Sequence, residues 1–193
     1  KALDIARKIS KIKNDKYDIV VSPSLCSMKE IAEKTNVTVF SQHTDHVPLG
    51  AHTGRISPEE LKRINVKGTI LNHSERKIPL KYLARIIEQC VKNKLKTVVC
   101  ASTLSEIKKV AELNPHYIAY EPKELIGGNI SVTKANPDII VKAVEMVHNI
   151  NPRIKVLCGA GIHSKEDVGQ ALLLGTHGVL IGHSFVKAKD PKK

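Results

Sequence analysis

Two residues able to move protons follow predicted buried strands at separate places in the chain. Glu121 ends the run Tyr117-Ile118-Ala119-Tyr120, and His73 follows Lys67-Gly68-Thr69-Ile70-Leu71 by way of Asn72. A carboxylate can take a proton from carbon, and a neutral imidazole can polarise a carbonyl oxygen, each worth about 10²–10⁴ in rate. Alone, either residue is more typical of a surface or ion-paired position. The hypothesis of an acid–base site therefore requires that the two side chains meet.

Glycine-bearing turns in three places are suited to hold a phosphate. They are Gly127-Gly128, Gly159-Ala160-Gly161 and Gly182-His183. Small residues let an anion approach backbone N–H groups directly, and helix starts add a partial positive charge. A single turn of this kind is more often a chain reversal, but the last two turns follow the last two predicted strands, the usual phosphate position in barrels. The segment after Glu121 begins with Pro122, whose φ is restricted, and later contains Gly127-Gly128, which allow a wide range of backbone conformations. This composition favours a lid above the base.

Helical and strand periodicities alternate along the chain, and they must position these groups. The predicted strands are short, continuous apolar runs, which indicates a parallel sheet covered by helices on both faces. Seven strands are predicted, over residues 17–21, 36–41, 67–71, 96–100, 116–120, 154–158 and 177–181. Seven helices are predicted, over residues 1–13, 24–34, 57–64, 80–91, 103–113, 136–150 and 164–174. Two α/β architectures fit: an open doubly wound sheet, or a (β/α)8 barrel completed by one strand before Lys1 and one helix after Lys193.

Length and composition are those of a globular protein. The 193 residues predict one domain over residues 1–193, and 41% of them are hydrophobic. No apolar run approaches the roughly 18 residues that a membrane span needs, so we expect no membrane partner. Four scattered cysteines, Cys26, Cys90, Cys100 and Cys158, predict buried thiols in a reducing compartment, and we expect the cytoplasm.

The net charge of +12 fits a solvated Lys-rich surface, and it would also suit a phosphate-rich partner, either a small metabolite or nucleic acid. Only 3% of the residues are aromatic and Trp is absent, so a stacking nucleic-acid site is poorly supported and we expect no nucleic acid. The loop 42–56 contains His43, Asp45, His46 and His52, which have metal-ligand chemistry. Their spacing is not that of a helical His pair, and we expect no metal site.

Several stretches resemble triosephosphate isomerases of the compact archaeal type. The matching motifs are Leu71-Asn72-His73-Ser74-Glu75-Arg76, Ala119-Tyr120-Glu121-Pro122, Leu125-Ile126-Gly127, Gly50-Ala51-His52-Thr53-Gly54 and Val156-Leu157-Cys158-Gly159-Ala160-Gly161-Ile162. The likeness covers essentially the whole chain, and the first two motifs are specific because a full β/α unit separates them in this order. The resemblance implies a (β/α)8 TIM barrel, an isomerase of glycolysis and gluconeogenesis, and no metal or cofactor.

The resemblance also implies residue roles. Glu121 would be the base and His73 the neutral electrophile that interconvert dihydroxyacetone phosphate and glyceraldehyde 3-phosphate. Glu75 is similar to the glutamate that follows the family's histidine and lies close to its catalytic lysine. Residues 122–132 resemble the lid that closes over the phosphate. The positions whose backbone would face the phosphate are Ile126, Gly127, Gly161, Gly182 and His183. Of these, His183 departs from the small residues usual in the family.

The resemblance raises two expectations about the whole molecule. The family's first strand carries an Asn-x-Lys motif with the essential lysine, and that strand would precede Lys1, while the last helix would follow Ala188. We therefore expect a truncated barrel with seven of eight β/α units, and no measurable turnover until the first strand is restored. The loop 42–56 is similar to the segment that packs against a neighbouring subunit, which implies a homo-oligomer, a dimer or the tetramer typical of the archaeal branch.

Two other functions stay open. The glycine turns would equally suit another phosphate-binding β/α-barrel enzyme, such as a biosynthetic lyase or synthase. The charge would suit a non-catalytic protein that binds nucleic acid or other polyanions, with affinity that falls steeply with salt.

Overall fold

The computed structural model describes residues 1–12, 16–122 and 137–188. These residues form two compact units. The first comprises the described residues of Lys1–Leu71 together with Pro79–Thr97, and the second comprises Asn72–Ile78 together with the described residues from Val98 onward. Within these ranges, no helix has both the length and the apolar character needed to cross a membrane. One domain over residues 1–193 stays a prediction.

In the first unit, parallel strands alternate with helices. The strands are β1 (Val20–Val21), β2 (Thr38–Ser41) and β3 (Gly68–Leu71), and the helices are α1 (Ala2–Ile9), α2 (Leu25–Lys34), α3 (Pro58–Arg63) and α4 (Leu80–Lys92). Val20 of β1 lies opposite Thr38 of β2, and Phe40 of β2 lies opposite Gly68 of β3. This register brings the Phe40 ring against Gly68, where a Cβ would lie 2.7 Å from the ring and 2.5 Å from the carbonyl oxygen of Lys96. Only glycine fits there.

The second unit repeats the same alternation. Its strands are the part of β4 (Lys96–Ala101) from Val98 onward, β5 (Tyr117–Tyr120) and β6 (Lys155–Cys158), and its helices are α5 (Leu104–Ala111), α6 (Pro137–Ile150), α7 (Lys165–Leu173) and α8 (His183–Val186). All pairings are parallel, with Cys100 opposite Ala119 and Tyr120 opposite Cys158. The buried apolar side chains of this unit include Val99, Ile107, Ile118, Ile140 and Ala171. The parallel register places the C-terminal ends of these strands, and the groups that follow them, at one edge of the unit.

The predicted alternation of helices and buried strands is confirmed for the described residues, with corrections at three places. The predicted strand 177–181 forms only an isolated bridge, from Val179 to Cys158. Gly178 lies inside this short run, and glycine weakens a strand because it has no side chain to pack. His183, predicted to lie in a turn, is the first residue of α8. Ser27 and Glu30 have the spacing of a capping box and predict a helix start at Ser27, but both lie within α2, because the helix already starts after Ser24.

Candidate active site

The position of His73 is set by the residue that precedes it. Asn72 follows β3 with a φ of +57°, a left-handed conformation that Asn adopts more readily than most residues. Its side chain is buried, and its amide nitrogen donates to the carbonyl oxygen of Cys100 at 2.8 Å and to Glu106 Oε1 at 2.8 Å. Its amide oxygen accepts from the backbone N–H of Ile78 at 2.9 Å. The loop that carries His73 is therefore fastened at both ends by one side chain.

The position of Glu121 is set by β4, β5 and β6 together. Its backbone N–H donates to the carbonyl oxygen of Ala101 at 2.8 Å, so the pairing of β5 with β4 continues through Glu121. The thiol of Cys100 donates to its carboxylate. Across the other edge, a Cβ on Gly159 would lie only 2.6 Å from Cγ of Glu121. The carboxylate is therefore confined between a thiol donor and a glycine, and the residue is only 3% exposed.

The structure brings His73 and Glu121 together. Nε2 of His73 lies 3.6 Å from Oε1 of Glu121, although the two residues are far apart in the sequence. The side chain of His73 is 36% exposed, whereas that of Glu121 is 4% exposed. A base that is shielded from water and an imidazole that is open to it can reach neighbouring atoms of one small substrate.

Two contacts at Nδ1 of His73 require opposite protonation states. The backbone N–H of Glu75 points to Nδ1 at 3.4 Å and can only donate, which requires Nδ1 to be unprotonated. Oε2 of Glu75 also lies 3.4 Å from Nδ1 and would prefer a proton there. The Glu75 side chain is 88% exposed and can rotate away from His73 into water, whereas the backbone N–H of Glu75 cannot rotate away in the same manner. The geometry therefore favours the neutral tautomer with the proton on Nε2, the atom that faces Glu121.

Burial raises the pKa of Glu121 above its ordinary value, because the charged form loses solvation. The nearby His73, the hydrogen bond from Cys100 and the charge of Lys77 partly offset this effect. Burial and the neighbouring Glu121 raise the pKa of Cys100 well above its ordinary value, so Cys100 stays a thiol and a hydrogen-bond donor. A carboxylate whose pKa is raised is a stronger base, and its affinity for a proton on carbon increases accordingly.

A polar network that the sequence did not reveal surrounds Asn72. Glu106 accepts hydrogen bonds from Asn72, from Lys77 Nζ at 2.9 Å, and from the backbone N–H and hydroxyl of Ser102 at 2.8 and 2.9 Å. Although burial acts to raise it, these bonds hold the pKa of Glu106 at about 2. The spacing of Thr103 and Glu106 is that of a capping box, which would have placed the carboxylate at the start of α5. It would not have predicted the bond to Asn72.

Two of the three glycine turns predicted to hold a phosphate, Gly159-Ala160-Gly161 and Gly182-His183, lie together. Gly161 has a φ of +67°, which favours glycine, and the hydroxyl of Ser184 donates to the carbonyl oxygen of Ile162 at 3.0 Å. That bond joins the turn after β6 to the start of α8, where Gly182 is the N-cap and His183 the first residue. Ile126 and Gly127, the turn Gly127-Gly128 and all of the predicted lid except Pro122 lie outside the described residues.

The loop 42–56 is closed at its base by Asp45. Its carboxylate accepts from Arg55 and from the backbone N–H of Ile56, both at 2.9 Å, and His43 Nε2 lies 3.4 Å away. Both carboxylate oxygens therefore have partners inside the protein. Among the described residues, no group of three or more His, Cys, Asp or Glu side chains is arranged to hold a metal ion.

Comparison with known proteins gives one consistent result. The family model described as triosephosphate isomerase matches residues 1–193. A triosephosphate isomerase of Methanocaldococcus jannaschii is 42% identical over 191 residues, which cover 98% of this chain and 87% of that protein. One from Methanobacterium bryantii is 43% identical over 176 residues, covering 91% of this chain and 78% of that protein, and one from Methanothermus fervidus is 38% identical over 194 residues, covering 100% and 87%.

Proposed function

The chain belongs to the triosephosphate isomerase family, a family of (β/α)-barrel isomerases, and resembles its archaeal members; from this premise we propose that it interconverts dihydroxyacetone phosphate and glyceraldehyde 3-phosphate. The observation that carries the proposal is the 3.6 Å separation of His73 Nε2 and Glu121 Oε1. These two groups are the base and the proton donor that the reaction requires.

In the proposed reaction, Glu121 takes a proton from the carbon next to the carbonyl group of dihydroxyacetone phosphate. As the C–H bond breaks, its electron pair forms the carbon–carbon double bond, and Nε2–H of His73 stabilises the negative charge on the carbonyl oxygen. An enediol-type intermediate results. Glu121 then returns the proton to the neighbouring carbon, while His73 passes a proton from the hydroxyl oxygen of the first carbon to the former carbonyl oxygen. The first carbon becomes the aldehyde, and glyceraldehyde 3-phosphate results. The neutral tautomer of His73 suits this role, because its proton is already on the atom that faces the substrate.

The phosphate group is proposed to bind at the two glycine turns. Gly161, Gly182 and His183 would present backbone N–H groups to it, and the bond between Ser184 and Ile162 supports their common location. Ile126 and Gly127, with the lid over residues 122–132, would cover the phosphate and exclude water. Glu75 Oε2 lies 3.4 Å from Nδ1 of His73. We propose that Glu75 also lies near the catalytic lysine that the family carries on its first strand.

Assembly and location are proposed on the same basis. The segment 48–55 of the loop 42–56 is exposed, and Asp45 fixes its base, which suits a contact with a second copy of the chain. We expect a homo-oligomer, a dimer or a tetramer, that works in the cytoplasm in glycolysis and gluconeogenesis. No metal, cofactor or nucleic acid is part of this proposal. Sedimentation of the purified protein would measure the oligomeric state.

A coupled assay with glyceraldehyde 3-phosphate tests the proposal in the full-length gene product. The expected result is rapid conversion to dihydroxyacetone phosphate, and a loss of about 10³-fold or more in kcat for Glu121→Gln, which has no basic oxygen. A lyase or synthase of the same fold would show no conversion. A polyanion-binding protein would show none either, and its salt-dependent binding would survive the substitution.

A further inference from the structure

Asn72 has more partners than a residue in a simple strand-to-loop turn needs. It is 3% exposed, its amide makes three hydrogen bonds of 2.8, 2.8 and 2.9 Å, and its partners are the backbone of Cys100, Glu106 and the backbone of Ile78. A left-handed φ alone would be served equally well by glycine. The side chain must therefore be explained by its contacts.

These contacts connect the loop that carries His73 with the strand that holds Glu121 in place. Asn72 is bonded covalently to His73, and its amide holds the carbonyl oxygen of Cys100. The thiol of Cys100 donates to Glu121, and the next carbonyl along, that of Ala101, accepts the backbone N–H of Glu121 at 2.8 Å. One amide thus links the loop that carries the imidazole to the strand that holds the carboxylate.

Glu106 keeps that amide in one orientation. Its Oε1 accepts from Asn72 and from Lys77, while its Oε2 accepts from the N–H and hydroxyl of Ser102. A carboxylate with four donors around it has no room to rotate, so Asn72 must present its nitrogen to Glu106 and Cys100 and its oxygen to Ile78.

We infer that Asn72 is a positioning residue for the reaction of the proposed isomerase, and that Glu106 orients it, so that the distance between His73 and Glu121 is fixed by one amide. The inference rests on the proposed function. It assigns to Asn72 no contact with substrate.

Loss of this link should affect kcat much more than KM. A misplacement of about 1 Å between reacting groups costs about 10²-fold in rate. Substrate affinity is expected to depend mainly on the phosphate, and the three hydrogen bonds of the Asn72 side chain go to Cys100, Glu106 and Ile78 rather than to the turns at Gly161 and Gly182. A second consequence concerns the pH profile. If Cys100 shifts and its thiol bond to Glu121 lengthens, a contact that lowers the pKa of Glu121 is lost, and the acid limb of kcat/KM moves to higher pH.

Asn72→Gly is the decisive variant, because glycine accepts the left-handed φ and removes only the amide. We expect kcat to fall about 10- to 100-fold, KM to change less than about 3-fold, and the acid limb to shift upward. Asn114→Gly is the matched control, since Asn114 also has a left-handed φ, +54°, and a side chain bonded to Asn151. The control should keep kcat within about 2-fold.

Glu106→Gln tests the residue that orients Asn72. It replaces the carboxylate that accepts from Ser102 by an amide, and it should lower kcat about 3- to 10-fold.

The outcomes separate the inference from the proposed function. Wild-type turnover with an unchanged kcat and pH profile in folded Asn72→Gly overturns the inference and leaves the proposed function intact. A lowered melting temperature with unchanged kcat assigns Asn72 a structural role only, which also overturns it. If Asn72→Gly does not fold, Glu106→Gln decides: an unchanged kcat overturns the inference, and a selective loss of kcat supports it. All variants are made in the full-length gene product, and an absence of turnover in that protein without any substitution removes the proposed function and the inference together.

Discussion

Gly159 determines where the carboxylate of Glu121 can lie. A Cβ at this position would approach Cγ of Glu121 to 2.6 Å, its Oε1 to 3.2 Å and the carbonyl oxygen of Tyr120 to 3.1 Å. The carbonyl belongs to β5 and cannot move, so the side chain of Glu121 would have to. The absence of a side chain at Gly159 is therefore part of the geometry of the base.

Gly159→Ala is expected to lower kcat about 10- to 100-fold with little loss of folded protein, because the carboxylate is displaced from its position beside His73. Steady-state kinetics on the purified variant measure the effect. Gly169→Ala in α7 is the control, since its Cβ would have no described neighbour within 4 Å apart from its adjoining residues and the backbone of its own helix. It should leave kcat unchanged and stabilise the helix by about 0.5–1 kcal/mol. Wild-type kinetics for Gly159→Ala would show that Glu121 is not confined by Gly159.

At the scale of elements, Glu106 connects the loop 72–78 to the start of α5. Its pKa of about 2 lies below the ordinary 4.5, because Ser102, Lys77 and Asn72 stabilise the charged form. Between these two pH values, the unfolded chain binds a proton at this position and the folded protein does not. The stabilisation is therefore complete above pH 4.5 and is lost as the pH falls toward 2.

This linkage predicts the acid sensitivity of the fold. The free energy of unfolding of the wild type should fall more steeply between about pH 4.5 and about pH 2 than that of Glu106→Gln. Urea titrations at a series of pH values measure the difference. Glu112→Gln, at the exposed C-terminal cap of the same helix, is the control and should follow the wild type. Parallel curves for wild type and Glu106→Gln would contradict the assignment of this network.

The start of α7 offers a second test at this scale. Ser164 accepts from the backbone N–H of Asp167 at 3.2 Å, and Asp167 Oδ2 accepts from the backbone N–H groups of Ser164 and His163 at 3.1 and 3.0 Å. This capping box fixes the chain that leads from the glycine turn after β6 into the helix.

Ser164→Ala should cost about 1 kcal/mol of stability, because an N-cap acceptor is lost. The melting temperature would fall by about 2–4 °C. Ser24→Ala is the matched control: Ser24 is also the N-cap of a helix, α2, but its side chain makes no capping bond. Its substitution should change stability by less than about 0.5 kcal/mol. Equal losses for the two variants would show that the capping box contributes nothing.

Elements were predictable where one local pattern dominates. Ser57-Pro58 marked the start of α3, and Ser57 does accept the backbone N–H of Glu59. The site was predictable only as polar residues that follow strands, namely Asn72, His73 and Glu121. The contact of Gly159 with Glu121 depends on the register of β5 and β6, with Tyr120 opposite Cys158, and no local pattern specifies a register. The bond from Asn72 to Glu106 likewise joins residues that are 34 positions apart.

At the scale of the whole molecule, the net charge of +12 should attract a dianionic triose phosphate. The Debye length falls from about 30 Å at 0.01 M salt to about 8 Å at 0.15 M. We expect kcat/KM to fall several-fold over this range while kcat stays constant, because encounter depends on the long-range field and the buried chemistry does not. A neutral sugar at equal osmolality is the control. A kcat/KM independent of salt would show that the charge does not steer the substrate.

The proposed reaction depends most on the joint action of His73 and Glu121 on one substrate, and a double-mutant cycle measures this joint action directly. Glu121→Asp, His73→Gln and the combined variant are compared by kcat for glyceraldehyde 3-phosphate in the full-length gene product. We expect each single substitution to cost about 10²-fold or more, and the pair to cost far less than the product of the two, as for groups that act as a unit. Either single variant with kcat within about 3-fold of wild type would contradict the account.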